Sequence, residues 1–422
     1  VIDEPVVSEL PPSYVFGGSS LTTGSSITQL ANEELTWETT REIDYGLSLG
    51  LFNNRITMEA DYYDKETSNL LLEVPLPSTS GYQTAFKNLG LVNNKGYEFA
   101  VNANMIENRD FNWNMNFNIS FNENKVLDLG DADEFFVTAI GDNQTNNDYV
   151  VRVGESLGSI YGLSYDGVYN YQDFVEFDGM SIDEAASKLY ADAAAVGDDG
   201  TEMWWGLNQY TLKDGVPVNA LVTNGTYRPG MTKFKDINGD GVINDDDRHI
   251  IGNTLPKHFG GMTQNLNFKN FDLSIQTSWS YGNDVYNKTL KKGAQTAVPW
   301  RNKFSIVDDR WSPTNPNGTF TAFSAGNSGD VNSAAYDLYL EDGSYFRIRN
   351  ITLGFTLPKD LIRKIGVKNL RIYASLDNVH SWTKYSGWDP DVSVGNNQLT
   401  PGLDVDSYPR SRTFRTGIVA RF

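Results

Sequence analysis

Polar and apolar residues alternate without exception over a long segment of this chain. From residue 111 to residue 121 the even positions hold only Asn and Ser, and the odd positions hold Phe111, Trp113, Met115, Phe117, Ile119 and Phe121. Only a β-strand separates two such sets onto opposite faces. The segment has about eleven residues, which is the length that a tilted strand needs to cross a bilayer. It is therefore predicted to span a membrane with one apolar and one polar face.

The same alternation returns along the rest of the chain. Mostly apolar side chains occupy every second position in the segments 43–51, 56–62, 97–105, 271–281, 370–376 and 414–422. One further segment changes phase, because Phe346 and Ile348 belong to one set whereas Ile351 and Leu353 belong to the other. This change predicts a β-bulge near Asn350, since a bulge inserts one extra residue into a strand.

The connections between the strands are alternately short and long. Short turns are predicted at 53–54, 107–110, 154–156 and 269–270, and long polar connections at 65–93, 123–146, 170–257, 282–342 and 380–410. Outer-membrane barrels have this arrangement, with tight periplasmic turns and long extracellular loops. The chain then contains about eleven strands. We expect residues 1–36 to be an extracellular loop or the remnant of a preceding strand, and residues 37–422 to belong to the barrel.

About eleven strands cannot form a separate sheet in lipid. Each open edge leaves backbone groups without partners, at several kcal/mol per group, and single-chain bacterial barrels normally have an even number of strands. The predicted fold is therefore all-β, a transmembrane antiparallel β-barrel of about 22 strands, of which this chain supplies the C-terminal half. No leader follows Val1, so we expect the natural N-terminus to lie far upstream.

Composition excludes several classes of protein. The chain has 34 basic and 54 acidic residues, whereas a duplex nucleic acid requires a basic surface. It has no cysteine, which excludes disulfides and thiolate metal sites. No apolar run approaches the roughly 20 residues of a transmembrane helix. Because no catalytic triad, phosphate loop, dinucleotide fingerprint or marked carboxylate pair is recognisable, we expect no catalytic residues and no enzymatic activity.

Two segments within the connections are predicted to be helical. Residues 181–195 begin with the capping-box pair Ser181 and Glu184 and are followed by Gly197. Residues 357–366 have Pro358 in the first turn and are expected to form a short helix in a periplasmic turn.

The segment 236–247 (DINGDGVINDDD) matches the calcium-loop template. Gly241 allows the sharp turn, and the last position holds Asp instead of Glu. The predicted Ca²⁺ ligands are Asp236, Asn238, Asp240, the carbonyl of Val242, Asn244 and Asp247. No helices flank the loop, so its expected role is to stiffen an extracellular loop. The alternative is a metal-free turn that is stabilised by Asx hydrogen bonds.

Aromatic residues in the long connections are weak candidates for substrate binding. Trp204, Trp205, Tyr210 and Trp300 are of the type that stacks against sugar rings, although packing within the loops is the more common use of such residues. The three histidines have no metal-ligand spacing to one another.

The chain ends with an alternating strand, SRTFRTGIVARF, whose last residue is Phe422. This ending resembles the signal that the barrel-assembly machinery reads in outer-membrane proteins. The alternative is an ordinary C-terminal strand.

Four stretches resemble the SusC/RagA family of TonB-dependent outer-membrane transporters. They are the segment from Leu35 to Leu72, the segment from Arg228 to Gly252, the sequence RWSPTNPNGT from Arg310, and the segment FRIRNITLGFTLPKDLIRKIGVKNLRIYASLDNVHSWTKYSGWDPDV from Phe346. The resemblance implies a bacterial outer-membrane barrel of 22 strands with an N-terminal plug, a TonB box and a SusD-like surface lipoprotein as a lid. The plug, the TonB box and the first half of the barrel have no counterpart in these 422 residues.

The family resemblance implies a function in nutrient import. The expected cargo is an oligosaccharide, with a peptide as the second choice, and the expected partners are the lid lipoprotein, TonB through the plug, the remaining half of the barrel and membrane lipid. The alternative is a secreted, calcium-stabilised β-sandwich that binds carbohydrate or acts as an adhesin. Extraction from membranes distinguishes the two, because only the barrel requires detergent.

Overall fold

One antiparallel sheet of nine long strands dominates the structure. The computed structural model describes residues 7–9, 25–27, 35–75, 79, 84–88, 90–139, 148–195, 210–221, 227–295, 302–322, 334–362, 366–392 and 399–422. The strands lie in the sheet in the order of the chain: β1 Thr39–Leu51, β2 Ile56–Ser68, β3 Leu91–Glu107, β4 Phe111–Asp128, β5 His258–Phe268, β6 Phe271–Tyr281, β7 Tyr345–Thr356, β8 Asn369–Thr383 and β9 Thr413–Arg421. The sheet is therefore an up-and-down meander, as expected for a section of barrel wall.

Short and long connections alternate between these strands. The connections 52–55, 108–110, 269–270 and 357–368 are short, and 69–90, 129–257, 282–344 and 384–412 are long. The predicted turns at 53–54, 107–110 and 269–270 are confirmed.

The turn predicted at 154–156 does not join two strands of the main sheet. Its flanking strands, Tyr149–Arg152 and Ser159–Gly162, belong to a four-stranded sheet with Glu134–Val137 and His249–Asn253. Each has only four residues, most of them buried, so neither has the length or the exposed apolar face of a membrane strand. The main sheet consequently has nine strands in the described residues, two fewer than predicted, and the predicted loops 123–146 and 170–257 are parts of one connection.

The remaining elements are short and lie mainly in the long connections. The helices are α1 Ile182–Ala195, α2 Lys288–Ala294 and α3 Lys359–Ile362. The other strands are Val7–Glu9, Ser25–Ile27, Leu71–Pro75, Thr84–Asn88, Tyr165–Val168, Val218–Asn219, Thr232–Phe234, Val242–Ile243, Asp284–Asn287, Leu340–Asp342 and Leu403–Asp404. The described part of the chain contains no helix with the length and apolar character that a membrane span requires.

The predicted helix in the longest connection is confirmed. It begins after Ser181, whose hydroxyl accepts the Glu184 backbone N–H at 3.3 Å, while the Glu184 carboxylate accepts the Ser181 N–H at 2.9 Å. This reciprocal capping box also lowers the pKa of Glu184, because hydrogen bonds from Ser181 favour the charged carboxylate. The second predicted helix, 357–366, is represented by the short α3 after Pro358.

One face of the sheet is apolar and exposed. Tyr45, Leu47, Phe271 and Ile418 are between 49% and 70% exposed. The side chains predicted to face lipid do not lie in a dry interior, since all of them are only partly buried: Phe111, Trp113, Phe117, Leu273 and Ile275. A β-sandwich would bury such a face against a second sheet. The alternative prediction of a β-sandwich is therefore wrong for this fold.

Two rows of aromatic side chains mark the edges of the apolar face. Cross-strand pairs place Phe111, Phe268, Phe271 and Phe355 in one row. The row nearer the long connections contains Tyr45, Tyr62, Tyr97, Phe121, His258 and Tyr281. In β4 the rows are ten residues apart, or about 34 Å along the strand. A tilt of about 40° reduces this to about 26 Å, the height of the apolar band in outer-membrane barrels.

The hydrophobic core lies mainly in the long connections, although a small cluster includes Val92 of β3 and Val126 of β4. Tyr149, Tyr286 and Leu403 come from three different long connections and belong to one buried cluster. A second cluster packs Ala185 and Leu189 of α1 against Phe174 and neighbouring aromatic rings. The long connections therefore pack together as one body, which is called the loop body below.

Candidate functional site

The second face of the sheet is lined by side-chain amides and hydroxyls. On β3 and β4, the Asn114 amide donates to Asn104 Oδ1 at 2.8 Å and the Asn124 amide donates to Asn94 Oδ1 at 2.9 Å. The Tyr63 hydroxyl of β2 donates to Asn122 Oδ1 at 2.8 Å. Alternation alone places these groups opposite the apolar face. Because amides and hydroxyls both donate and accept hydrogen bonds, this face is suited to a hydrated path for a polar molecule.

Charged side chains on the same face form cross-strand pairs. Arg371 of β8 donates from Nε to Asp272 Oδ1 of β6 at 2.9 Å, and Arg415 of β9 pairs with Asp377 of β8. All four of these side chains are at least about a quarter exposed, so solvent screens the pairs and their main effect is to hold side chains in place.

A shallow concavity of about 530 Å³ lies on this face across β3 to β7. Asn116, Ser120, Gly261, Ser278 and Arg349 are among the residues that line it. The concavity combines amide, hydroxyl and guanidinium groups with the aromatic ring of Phe259. It is the candidate binding site on the barrel wall.

A buried ion-pair network ties the connection 384–412 to the sheet. Arg347 of β7 is 3% exposed and pairs with Asp389. Arg410 donates to Asp389 Oδ2 at 3.1 Å and to Asp391 Oδ2 at 2.8 Å, and the Arg347 Nε donates to the Ser381 hydroxyl at 2.7 Å. Both carboxylates thus have cationic partners, as buried charges require. The network fixes the loop body to the mouth of the sheet.

The predicted calcium loop is a series of Asx turns. Asp236 Oδ2 accepts the Gly241 N–H at 2.8 Å, Asn238 Oδ1 accepts the Asp240 N–H at 2.8 Å, and Asp240 Oδ1 accepts the Val242 N–H at 2.7 Å. Within the described residues, no group of three or more acidic or histidine side chains is close enough together to hold a metal ion. The predicted side-chain ligands are thus already engaged by backbone donors.

Asp247 closes this loop from the inside. Its side chain is fully buried, its Oδ1 accepts the Ile237 N–H at 2.8 Å, and its Oδ2 accepts the Asn244 N–H at 2.8 Å. Asn244 in turn accepts the Asp246 N–H at 2.6 Å. The Asp at the last template position therefore holds the two ends of the loop together.

Of the four aromatic candidates for substrate binding, Tyr210 is the one that lies within the described residues. Tyr210 is buried against Phe174 and Phe177, and its hydroxyl donates to Asp192 Oδ2 at 2.9 Å. Burial and this hydrogen bond raise the pKa of Tyr210 well above its usual value. Its position is that of a packing residue of the loop body. Trp204, Trp205 and Trp300 lie outside the described residues.

Phe422 follows the last strand and is 79% exposed. Its backbone carbonyl accepts a hydrogen bond from Lys368 Nζ at 3.1 Å. Its role as an assembly signal stays a prediction.

Sequence reasoning did not single out two residues of the concavity, Phe259 and Arg349. Phe259 precedes two glycines, which obscure the alternation in β5. Arg349 lies within the predicted bulge, where the phase of the alternation is undefined. The phase change at Asn350 was the only signal that pointed to Arg349.

Comparison with known proteins identifies the family. The family described as TonB dependent receptor-like, beta-barrel, matches residues 4–224. TonB-dependent receptor P3 of Formosa agariphila is 33% identical over 415 residues, which are 97% of this chain and 36% of the receptor. TonB-dependent receptor SusC of Bacteroides thetaiotaomicron is 26% identical over 420 residues, which are 99% of this chain and 35% of SusC.

A solved structure of the RagAB peptide transporter has the same fold. The TM-score is 0.69 at 20% identity, and the likeness covers 99% of this chain and 38% of that chain. The chain thus spans about a third of the length of the relatives that it matches. The match to the family, the exposed apolar band and the polar opposite face agree with one another. This chain belongs to the TonB-dependent receptor β-barrel family, with SusC/RagA-like relatives, and its nine strands are part of a barrel in the bacterial outer membrane.

Proposed function

We propose that this chain forms part of the wall of a TonB-dependent importer that passes an oligosaccharide into the periplasm. The observation that carries the proposal is the continuous row of amides and hydroxyls on the face opposite the lipid band. Sugars present closely spaced hydroxyls that both donate and accept, and side-chain amides match them in both roles. The relatives named above are receptors and a peptide transporter, and none is an enzyme, which supports transport without catalysis.

A SusD-like lipoprotein is the proposed lid, and TonB the proposed source of energy. The loop body supports this assignment, because three long connections share one core and present a single surface at the mouth of the sheet. A rigid surface of this kind suits repeated docking better than separate mobile loops, since less conformational entropy is lost on binding.

Uptake measurements in the native bacterium test the proposal. Cells with and without the gene would be given labelled oligosaccharides and labelled peptides, with and without a protonophore. We expect gene loss and the protonophore each to abolish uptake of one oligosaccharide class. Peptide uptake that depends on the gene, with unchanged oligosaccharide uptake, would replace the proposed cargo. Uptake that is independent of the gene would contradict import altogether.

Calcium binding by the loop 236–247 stays a prediction that rests on the calcium-loop template. The protein extracted in detergent would be heated in millimolar calcium and in EDTA. Bound calcium is expected to raise the melting temperature of the loop body by mass action. Asp240→Asn is a matched variant, because an amide oxygen still accepts the Val242 N–H but the charge is lost. Equal melting temperatures in both buffers would favour the metal-free Asx turns.

A further inference from the structure

A bulge in β7 directs one additional side chain to the polar face. Ile348 pairs with Thr277 on the apolar face, whereas Asn350 pairs with Gln276 on the polar face, and the register shifts between them. Arg349 is the extra residue. Its Nε donates to the Ser278 hydroxyl of β6 at 2.7 Å, so its guanidinium lies on the polar face in the concavity. The bulge thus places a cation where regular alternation would not place one.

Arg349 differs from the other arginines on the polar face in its side-chain partners. On the same face of β7, β8 and β9, Arg347 pairs with Asp389, Arg371 pairs with Asp272, and Arg415 pairs with Asp377. Arg349 forms no ion pair with a carboxylate anywhere in the described ranges, its side-chain partners are the hydroxyls of Ser278 and Tyr345, and it is exposed. A guanidinium presents a planar set of donors that matches a carboxylate or a sulfate. Arg349 is therefore available to an anionic group from outside the sheet.

An aromatic ring lies at the other side of the same concavity. Phe259 of β5 pairs with Ser120 and Ser280, faces the polar side, and is 45% exposed. From β5 to β7 is two strand spacings, so the ring and the guanidinium are on the order of 10 Å apart. Gly261 lies between them without a side chain, and an added Cβ would be 3.3 Å from Asn118 Oδ1. The Asn118 side-chain amide, whose Oδ1 accepts the Gly261 N–H at 2.7 Å, therefore lies on the floor between an aromatic platform and a cation.

Acidic side chains lie near both ends of this site. Glu98 accepts a hydrogen bond from the Ser120 hydroxyl at 3.1 Å, beside Phe259. At the other end, Asp377 accepts the amide of Asn350, which follows Arg349, but Asp377 is also paired with Arg415. A negatively charged ligand group is thus repelled more at the Phe259 end than at the Arg349 end.

We propose that this concavity is a subsite for an acidic sugar, whose carboxylate or sulfate binds Arg349 while a neighbouring ring stacks on Phe259. The inference rests on the proposed import of oligosaccharides and specifies their chemical class. Amides and hydroxyls such as Asn116 and Ser278 then bind the sugar hydroxyls. A peptide is less suited, because extended peptides add to free sheet edges, and strands β3 to β7, which carry the concavity, are each paired on both sides.

Binding to the protein extracted in detergent tests the subsite without transport, TonB or a lid. The probes in titration calorimetry are trigalacturonate, a sulfated galactose oligosaccharide of similar length, neutral galactotriose and trialanine. We expect at least one acidic oligosaccharide to bind about tenfold or more tightly than galactotriose, the size of one charge-assisted hydrogen bond or more. The carboxylate and sulfate arms show which anionic group is recognised.

Three variants test which side chains cause the preference for the acidic oligosaccharide. Arg349→Gln is expected to abolish the preference for the acidic oligosaccharide, so that acidic and neutral probes bind alike, and Phe259→Leu to weaken binding of both. Arg415→Gln, an arginine already paired on the same face, is the control and is expected to keep the preference. Four results would each overturn the subsite. They are equal binding of the acidic and neutral probes, a preference that survives in Arg349→Gln, tighter binding of trialanine than of the saccharides, and no binding of any saccharide. Intact binding to the extracted protein, together with uptake that does not depend on the gene, would contradict only the proposed import.

Discussion

At the residue scale, single side chains in the loop body stabilise structure that the backbone cannot stabilise by itself. The loop 236–247 has almost no regular secondary structure, so its backbone donors need side-chain acceptors. Asp247 supplies these from a fully buried position and accepts from Ile237, Asn238 and Asn244. A buried carboxylate is tolerated there because its oxygens are satisfied.

Replacement of Asp247 by Ala is expected to destabilise the loop body. Three backbone donors lose their acceptor, which costs roughly 2–4 kcal/mol. Asp246→Ala is the control, because this neighbouring acidic residue is exposed. Limited proteolysis between residues 227 and 257, combined with thermal melting followed by near-UV circular dichroism, measures the difference. Equal cleavage rates and melting temperatures in both variants would show that Asp247 is not needed.

Buried tyrosines are expected to make the loop body sensitive to alkali. Burial raises the pKa of Tyr149, Tyr210 and Tyr385, with further increases from Asp192 at Tyr210 and Asp404 at Tyr385. The folded pKa values exceed the unfolded value of about 10. Stability from these groups is thus complete below about pH 10 and is lost as the pH rises toward the raised values.

An absorbance titration of tyrosinate, followed together with near-UV circular dichroism, measures this effect. We expect tyrosinate absorbance above that of the exposed tyrosines to develop only as the loop body unfolds. Tyr210→Phe removes one such group and is expected to reduce the loss of stability in alkali. Ionisation of all tyrosines near pH 10 without a change in the circular dichroism signal would contradict the prediction.

At the element scale, each barrel strand has one face toward lipid and the other toward water. Phe117 of β4 lies between the two aromatic rows on the apolar face, and its neighbour Asn116 lines the concavity on the polar face. Adjacent residues of one strand therefore meet lipid and water, because successive side chains point to opposite faces.

This arrangement predicts opposite outcomes for the same substitution at adjacent positions. Phe117→Arg places a charge near the middle of the lipid band and is expected to cost about 2–4 kcal/mol of folding free energy, whereas Asn116→Arg is expected to cost much less. Urea-dependent folding into lipid vesicles measures both. Equal losses in the two variants would mean that Phe117 does not face lipid.

At the scale of the whole molecule, the exposed C-terminal aromatic has no packing role in the described structure. Phe422 is 79% exposed, so its removal leaves no cavity. We predict that Phe422→Ala lowers the amount of assembled protein in the outer membrane several-fold, and that Phe422→Tyr keeps it near the wild-type level. Membrane fractions probed for heat-modifiable mobility give the assembled amount. Unchanged assembly of Phe422→Ala would favour an ordinary terminal strand.

Much of the barrel wall could be predicted because alternation is a local property. Any strand with Phe117 on one face has Asn116 on the other, whichever strands it pairs with. The bulge near Asn350 was also predictable, since one extra residue shifts every later side chain to the opposite face. The asparagine-rich polar face followed from the same pattern.

Other features depended on contacts between distant parts of the chain. The short turn predicted at 154–156 was expected to join two barrel strands, but the strand that follows it, Ser159–Gly162, pairs in the loop body with His249–Asn253, about 90 residues away. The pairing of Asp377 of β8 with Arg415 and not with Arg349 is likewise a property of the tertiary structure. The residues that face lipid could be identified from the alternation, because strand geometry sets which side chains share a face. The strands that enter the wall and the pairing of charged side chains could not, because both depend on partners that are far apart in the chain.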